Sequence, residues 1–383
     1  MSTLGESSAD DEPHAAPVAI DRDELAAWLR LLETPGIGRG TARGLLSAFG
    51  SPQGVVDAPA AALKELLGEP LATALAESSD TLAALIETTW AWLQGPSAEV
   101  RGVVTLGDPR YPPSLLDTSD PPLLLYTQGR TELLAASSIA VVGSRNPTPQ
   151  GLASARAFSA HLSQAGLTIV SGLALGIDGA AHAGALEGAA STIAVVGTGL
   201  DRVYPRRHRD LAHRIAEAGL IVSEYSLGTP PIASNFPRRN RLIAGLSRGT
   251  LVVEAALKSG SLITARLAIE EGRDVFAIPG SIHSPQTRGC HALIKQGAKL
   301  VETAQDILEE LRLPVLAPPP ILKPMEKEDP ILAALGYDPV TLDALVARTG
   351  WPAAELNIRL LELELEGSVA RLPGQLFQRI AHA

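Results

Sequence analysis

At 383 residues the chain has room for two or three domains, and an apolar share of 45% gives each a core to bury. A formal net charge of −10 excludes a protein whose overall field gathers nucleic acid, so any polyanion site has to be local. The single cysteine, Cys290, excludes an intrachain disulfide framework and a cysteine-rich zinc site; with no leader and no apolar run of about 18 residues, the expectation is a cytoplasmic chain, neither exported nor membrane-spanning.

Residues 1–20 carry Glu6, Asp10, Asp11 and Glu12 among Ser, Ala and Pro. So little apolar surface reads as a disordered acidic tail. Over residues 21–95 the pattern turns helical, with Leu25, Trp28, Leu29 and Leu32, then Leu63, Leu66, Leu67 and Leu71, at helical spacing. This predicts a small all-helical domain. Within it, residues 32–46 resemble a helix-hairpin-helix element, whose Pro35-Gly36-Ile37-Gly38 turn could offer backbone amides to a phosphate with Arg39 and Arg43 assisting. A structural corner that binds nothing fits the same residues equally well.

From Val103 the periodicity changes to short β-branched runs separated by helices. Strands are predicted at 139–143, 168–171, 192–197, 220–224, 250–254 and 274–278, with helices at 152–165, 179–187, 207–218, 239–246 and 262–271. This alternation predicts an α/β core over residues 100–312, a Rossmann-like doubly wound, mostly parallel sheet whose function gathers at the strands' carboxyl ends. Three glycine-rich turns fall on that edge, beginning at Gly143, Gly172 and Gly197. None is a G-x-G-x-x-G turn followed by a ribose-binding acid, so no nicotinamide cofactor is expected. Asp178 and His182 share a helix face, but a helix cap at Asp178, on a helix starting at Gly179, outweighs a catalytic dyad. There is no H-E-x-x-H and no carboxylate cluster for two-metal chemistry, and the neighbours Cys290 and His291 face different ways. No catalytic residue, cofactor or metal is therefore expected.

Polyanion chemistry concentrates between Asp201 and Thr250, where nine arginines meet four acids, a local charge of +5 in an acidic protein. The densest part is F-P-R-R-N-R at 236–241: one ring, Phe236, with Arg238, Arg239 and Arg241. A ring can stack on a base while guanidinium forks take phosphate oxygens. Helical spacing places Arg238, Arg241 and Arg248 near one face. The alternative is a solvated helix face with a structural ion pair, such as Arg241 with Glu254.

Residues 313–330 read as a stiff proline-rich linker. Beyond it, residues 331–383 predict three helices and a two-stranded wing around Pro373-Gly374, a winged helix. Its third helix, 352–366, carries Glu355, Glu362, Glu364 and Glu366 against Arg359, which suits a protein partner better than DNA.

V-V-G-S-R (141–145), S-G-L-A-L-G-I-D (171–178), F-P-R-R-N-R-L-I-A-G-L-S (236–247), V-V-E-A-A-L-K-S-G-S-L-I-T-A (252–265) and F-A-I-P-G (276–280) occur in one order. Together they resemble the DNA-processing protein A family, DprA or Smf. The resemblance implies a SAM-like helical domain, a Rossmann-like core and a winged helix. It also implies a non-enzymatic homodimer that binds and protects single-stranded DNA and loads the RecA recombinase during natural transformation and recombination. Matched residue by residue, it assigns phosphate contacts to Gly143, Ser144 and Arg145, and places Phe236, Arg238, Asn240 and Arg241 around the same pocket, with Arg239 beside them. Some relatives carry a lysine shortly before the phenylalanine; Ile232, Ala233 and Ser234 stand here, leaving Arg239 or Arg207 as substitutes. For the winged helix the candidate partners are a recombinase, a single-strand-binding protein or a competence regulator. The competing enzyme reading is a phosphoribohydrolase-like protein using Glu254 as acid or base, but its glycine-rich signature is absent at Ser247-Arg248-Gly249-Thr250.

Overall fold

A computed structural model of the chain describes residues 20–95, 100–313 and 329–380. The expected acidic tail, apart from Ile20, and most of the proline-rich linker lie outside the described residues. The chain divides into two units, residues 1–91 and 92–383.

The first unit is helical. Asp21 caps the helix Arg22–Glu33 by accepting the Glu24 amide at 2.8 Å, and Leu25, Trp28 and Leu29 turn the buried face inward. The helix stops because Thr34 precedes Pro35, which forces it into extended backbone. Gly36 then takes φ +89°, where a Cβ would lie 2.7 Å from Leu71, and Gly38 starts the helix Arg39–Phe49. The hairpin anticipated at this corner is present.

The second unit is built on a nine-stranded sheet: β1 (Arg101–Thr105), β2 (Leu124–Gly129), β3 (Ser138–Val142), β4 (Thr168–Ser171), β5 (Thr192–Val196), β6 (Leu220–Ser223), β7 (Gly249–Val252), β8 (Asp274–Ala277) and β9 (Lys299–Leu300). Their order is β1-β2-β6-β5-β4-β3-β7-β8-β9, with β3 to β9 mutually parallel and β1 and β2 antiparallel at one edge. The six anticipated strands form the parallel centre; β1, β2 and β9 are additions. Alternation along β3 distributes two cores, Ile139 and Val141 to one face with the helix Pro149–Gln164, Ala140 and Val142 to the other with the helix Asn235–Leu246.

The strand order sets the place of the site. From β3 the chain winds outward through β4, β5 and β6, then returns to lay β7 against the other side of β3. The loops after β3 and β7 therefore diverge, and the crevice between them is where doubly wound sheets take ligands.

The C-terminal part forms a winged helix: helices Pro330–Leu335, Leu342–Thr349 and Ala353–Leu365 with β10 (Val340–Thr341), β11 (Val369–Leu372) and β12 (Leu376–Arg379). Its wing has three strands, in the order β10-β12-β11, where two were anticipated. Leu345, Leu356, Leu360 and Phe377 fill its core, and Arg359 ties the third helix to Asp329 at 2.7 Å.

Candidate nucleic-acid interface

A cavity of about 410 Å³ opens at this crevice, walled by residues 143–146 after β3, residues 258–261 after β7, and the face of the helix Asn235–Leu246 that carries Phe236, Asn240 and Ile243. Close packing forces glycine at the first wall. A Cβ on Gly143 would stand 2.6 Å from Ile177 and 2.9 Å from the Glu254 carbonyl. The Ser144 amide donates to that carbonyl at 2.7 Å.

Glu254 fixes the loop with its side chain as well. Its carboxylate accepts the Thr148 amide at 2.9 Å and the Thr148 hydroxyl at 2.5 Å, while Thr148 caps the helix Pro149–Gln164. Only 7% of Glu254 is exposed, and burial pushes its carboxyl above the ordinary range against the two Thr148 hydrogen bonds. The proposed general acid is a staple between two loops.

Buried polar groups hold the loop after β4. The helix there begins at Ile177, and Asp178 is not its cap, as the sequence suggested; its carboxylate accepts the Gly172 amide at 3.0 Å and the Ala174 amide at 3.3 Å. Burial raises the Asp178 pKa, opposed by the nearby Arg239 guanidinium. Arg239 is 4% exposed and donates to the carbonyls of Gly172, at 2.8 Å, and Val195. Burial lowers its pKa to about 10, which leaves it charged near neutrality. It clamps the ends of β4 and β5 together, and only its edge reaches the cavity.

His182 is equally buried. The Leu173 amide donates to Nε2 at 3.3 Å, so Nδ1 carries the proton toward Thr192 Oγ1 at 2.7 Å, and that hydroxyl donates to the Ile169 carbonyl at 2.6 Å. Burial, with His208 and Arg239 nearby, depresses its pKa to about 3, so it is neutral and structural. Cys290 is a buried thiol pushed up to about 12 by burial, while His291 bonds the Gly280 carbonyl at 3.0 Å. Among the described residues no group of His, Cys, Asp and Glu is arranged to hold a metal ion.

The structure thus brings together Gly143, Ser144, Arg145, Phe236 and Asn240, with Arg239 as part of the floor. Arg145 is exposed at the rim and makes no ion pair or side-chain hydrogen bond among the described residues; exposed Arg238, one turn into the helix, is likewise unpaired there. Arg241 is elsewhere. Its guanidinium grips both Glu224 oxygens, one at 2.5 Å, and reaches Asp120 at 3.4 Å. The structural ion pair considered for Arg241 exists, with Glu224 in place of Glu254. Arg248 lies beyond the helix end and bonds the Leu311 carbonyl at 3.1 Å, so the anticipated face of Arg238, Arg241 and Arg248 does not form.

Two residues were missed. Exposed Lys258 lines the wall opposite Phe236 and brings a cation to a cavity for which the sequence has no lysine shortly before the phenylalanine; the K-S-G-S run after β7 was its signal. Arg239, offered there as a substitute, is committed to carbonyls. Tyr204 packs its ring 5.4 Å from that of Phe236 with the planes 34° apart, a pairing across 32 residues that no local pattern announces.

The model of the DNA recombination-mediator protein A family matches residues 102–312, and that of the DprA winged helix domain matches residues 315–375. The chain belongs to the DprA/Smf family. It is 45% identical over 300 residues to Protein Smf of Escherichia coli (strain K12), covering 76% of this chain and 79% of that one. It is 51% identical over 203 residues to DNA processing protein DprA of Streptococcus pneumoniae, 53% of this chain and 72% of the relative. The crystal structure of DprA from Streptococcus pneumoniae superposes with a TM-score of 0.66 at 36% identity, covering 78% of this chain and all of that one. A DprA structure from Helicobacter pylori, described as revealing a unique single-stranded DNA binding mode, matches with a TM-score of 0.50 at 34% identity over 55% of this chain and 95% of that one. No helix among the described residues of this DprA/Smf family member is long and apolar enough to cross a membrane.

Proposed function

We propose that the cavity at the β3/β7 crevice binds single-stranded DNA without reading its sequence. The observation that carries this reading is one ring, Phe236, facing the cations Arg145 and Lys258, unpaired among the described residues, across a glycine-walled cavity in a protein of net charge −10. A base stacks on the ring, phosphates take the cations, and no array of base-reading side chains stands on a helix sized for a duplex groove. Arg238, Ser144, Asn240 and the backbone at Gly143 extend the contact set. Arg239 and Arg241 act through the fold.

Family membership supports the wider role: a homodimer that protects incoming single strands and loads the RecA recombinase in natural transformation and recombination. The acidic winged helix fits a protein partner in that work. Against the phosphoribohydrolase-like reading stands the commitment of the Glu254 carboxylate to the Thr148 amide and hydroxyl. The test is fluorescence anisotropy with labelled oligothymidylate and with duplex across a salt series. Wild type is expected to favour the single strand, and Arg145→Ala with Lys258→Ala to weaken it by about 10- to 100-fold. Equal binding by both proteins would return these cations to a solvated surface.

A further inference from the structure

The arginines between Asp201 and Arg214 take no part in the first cavity. Five of them, Arg202, Arg206, Arg207, Arg209 and Arg214, stand against two carboxylates, Asp201 and Asp210. Four of them are presented by the short turn Arg206–His208 and the helix Arg209–Ala218, and Arg202 by the loop before. Arg206, Arg207, Arg209 and Arg214 are exposed, and none makes an ion pair or side-chain hydrogen bond among the described residues. Like charges gathered this closely repel one another in the free protein, and among the described residues only Arg202 is offset, by Asp201 at 3.3 Å.

Three of the five rim a second, larger cavity of about 760 Å³, where Arg202, Arg206 and Arg209 surround an apolar floor that includes Val196 and Ile221. Tyr204 forms part of its wall, 47% exposed. The same ring packs against Phe236, which lines the first cavity. Two cavities with cationic rims therefore meet at one pair of aromatic rings. An apolar floor suits a base, guanidinium forks suit phosphate oxygens, and rings between them suit a stack that passes from one to the other.

We propose that the second cavity is a further single-strand site, in which a strand seated in the first cavity continues over Phe236 and Tyr204 and sets its next phosphates on Arg206 and Arg209. This rests on the reading of the first cavity as a single-strand site. The experiment uses the full chain, oligothymidylates of about 6 and about 15 nucleotides, and anisotropy over a salt series. Two double variants are compared: Arg206→Ala with Arg209→Ala, and Arg207→Ala with Arg214→Ala, which removes the same charge away from the cavity wall. For the first pair the long oligonucleotide is expected to lose about 10-fold in affinity and about 1.4 in salt slope, with the short one unchanged; the second pair is expected to leave both unchanged.

Unchanged binding of the long oligonucleotide by the Arg206/Arg209 variant overturns the proposal while the first site stands. Equal losses at both lengths, or equal losses in both variants, also overturn it, because they report a general field. If wild type binds neither oligonucleotide, the first reading fails and this one with it.

Discussion

Arg239 and Arg241 stand two residues apart in an arginine run and are turned to opposite tasks, the first holding carbonyls inside the sheet edge, the second holding Glu224 and Asp120. Arg239→Ala removes a donor from two buried carbonyls and the nearest cation from Asp178, an expected loss of about 2–4 kcal/mol by thermal denaturation. Arg239→Lys is expected to recover little of it, since an ammonium is more strongly hydrated than a guanidinium and costs more to bury at this site. His182 gives a pH prediction. Its folded pKa, about 3, lies below the ordinary 6.5, so its contribution is complete above pH 6.5 and is lost as pH falls toward 3. The melting temperature of wild type relative to His182→Gln should therefore decline between pH 6.5 and pH 4; a constant difference would refute the buried neutral ring.

At the level of elements, the central strands and helices were legible because each is a β-branched run or an amphipathic period, and the winged helix for the same reason. β2 was not: its apolar run, Leu123-Leu124-Leu125 after two prolines, lacks β-branched residues, and it becomes a strand through antiparallel pairing of Leu124 and Leu125 with β1 and of the residues after them with β6. Within the helix Asn235–Leu246 the sequence supplied the residues and not the phase. Counting from the arginines placed Arg238 and Arg241 together, whereas the helix starts at Asn235, anchored by Asn235 Nδ2 to the Gly197 carbonyl at 3.2 Å, and turns Phe236, Asn240 and Ile243 to the cavity. Gly143→Ala tests the tightness of the β3 loop. The added methyl meets Ile177 and the Glu254 carbonyl, so stability should fall by about 1–3 kcal/mol and single-strand binding more than thermal loss alone explains. Glu254→Gln, which keeps a hydrogen-bonding group opposite Thr148, is expected to retain single-strand binding in the same titration, at some cost in melting temperature.

Over the whole molecule, charge is segregated: net −10 for the chain, +5 between Asp201 and Thr250, and acidic again on the third helix of the winged helix. Attraction for a polyanion is thus short-ranged, and salt at physiological strength screens the remainder of the protein from the strand. Three to five phosphates neutralised per protomer should give a salt slope of about −2 to −4, at roughly 0.7 per phosphate for single strands. A flat salt response would contradict phosphate contact outright. The loops that wall the first cavity are already tied together by Arg239, Asp178 and Glu254 before anything binds. Such a surface gives up little conformational freedom when it is filled, so the entropy of ordering falls on the nucleic acid. Oligothymidylate, which barely stacks on itself, should then bind more tightly than oligoadenylate of equal length, which must first be pulled out of its own helical stack.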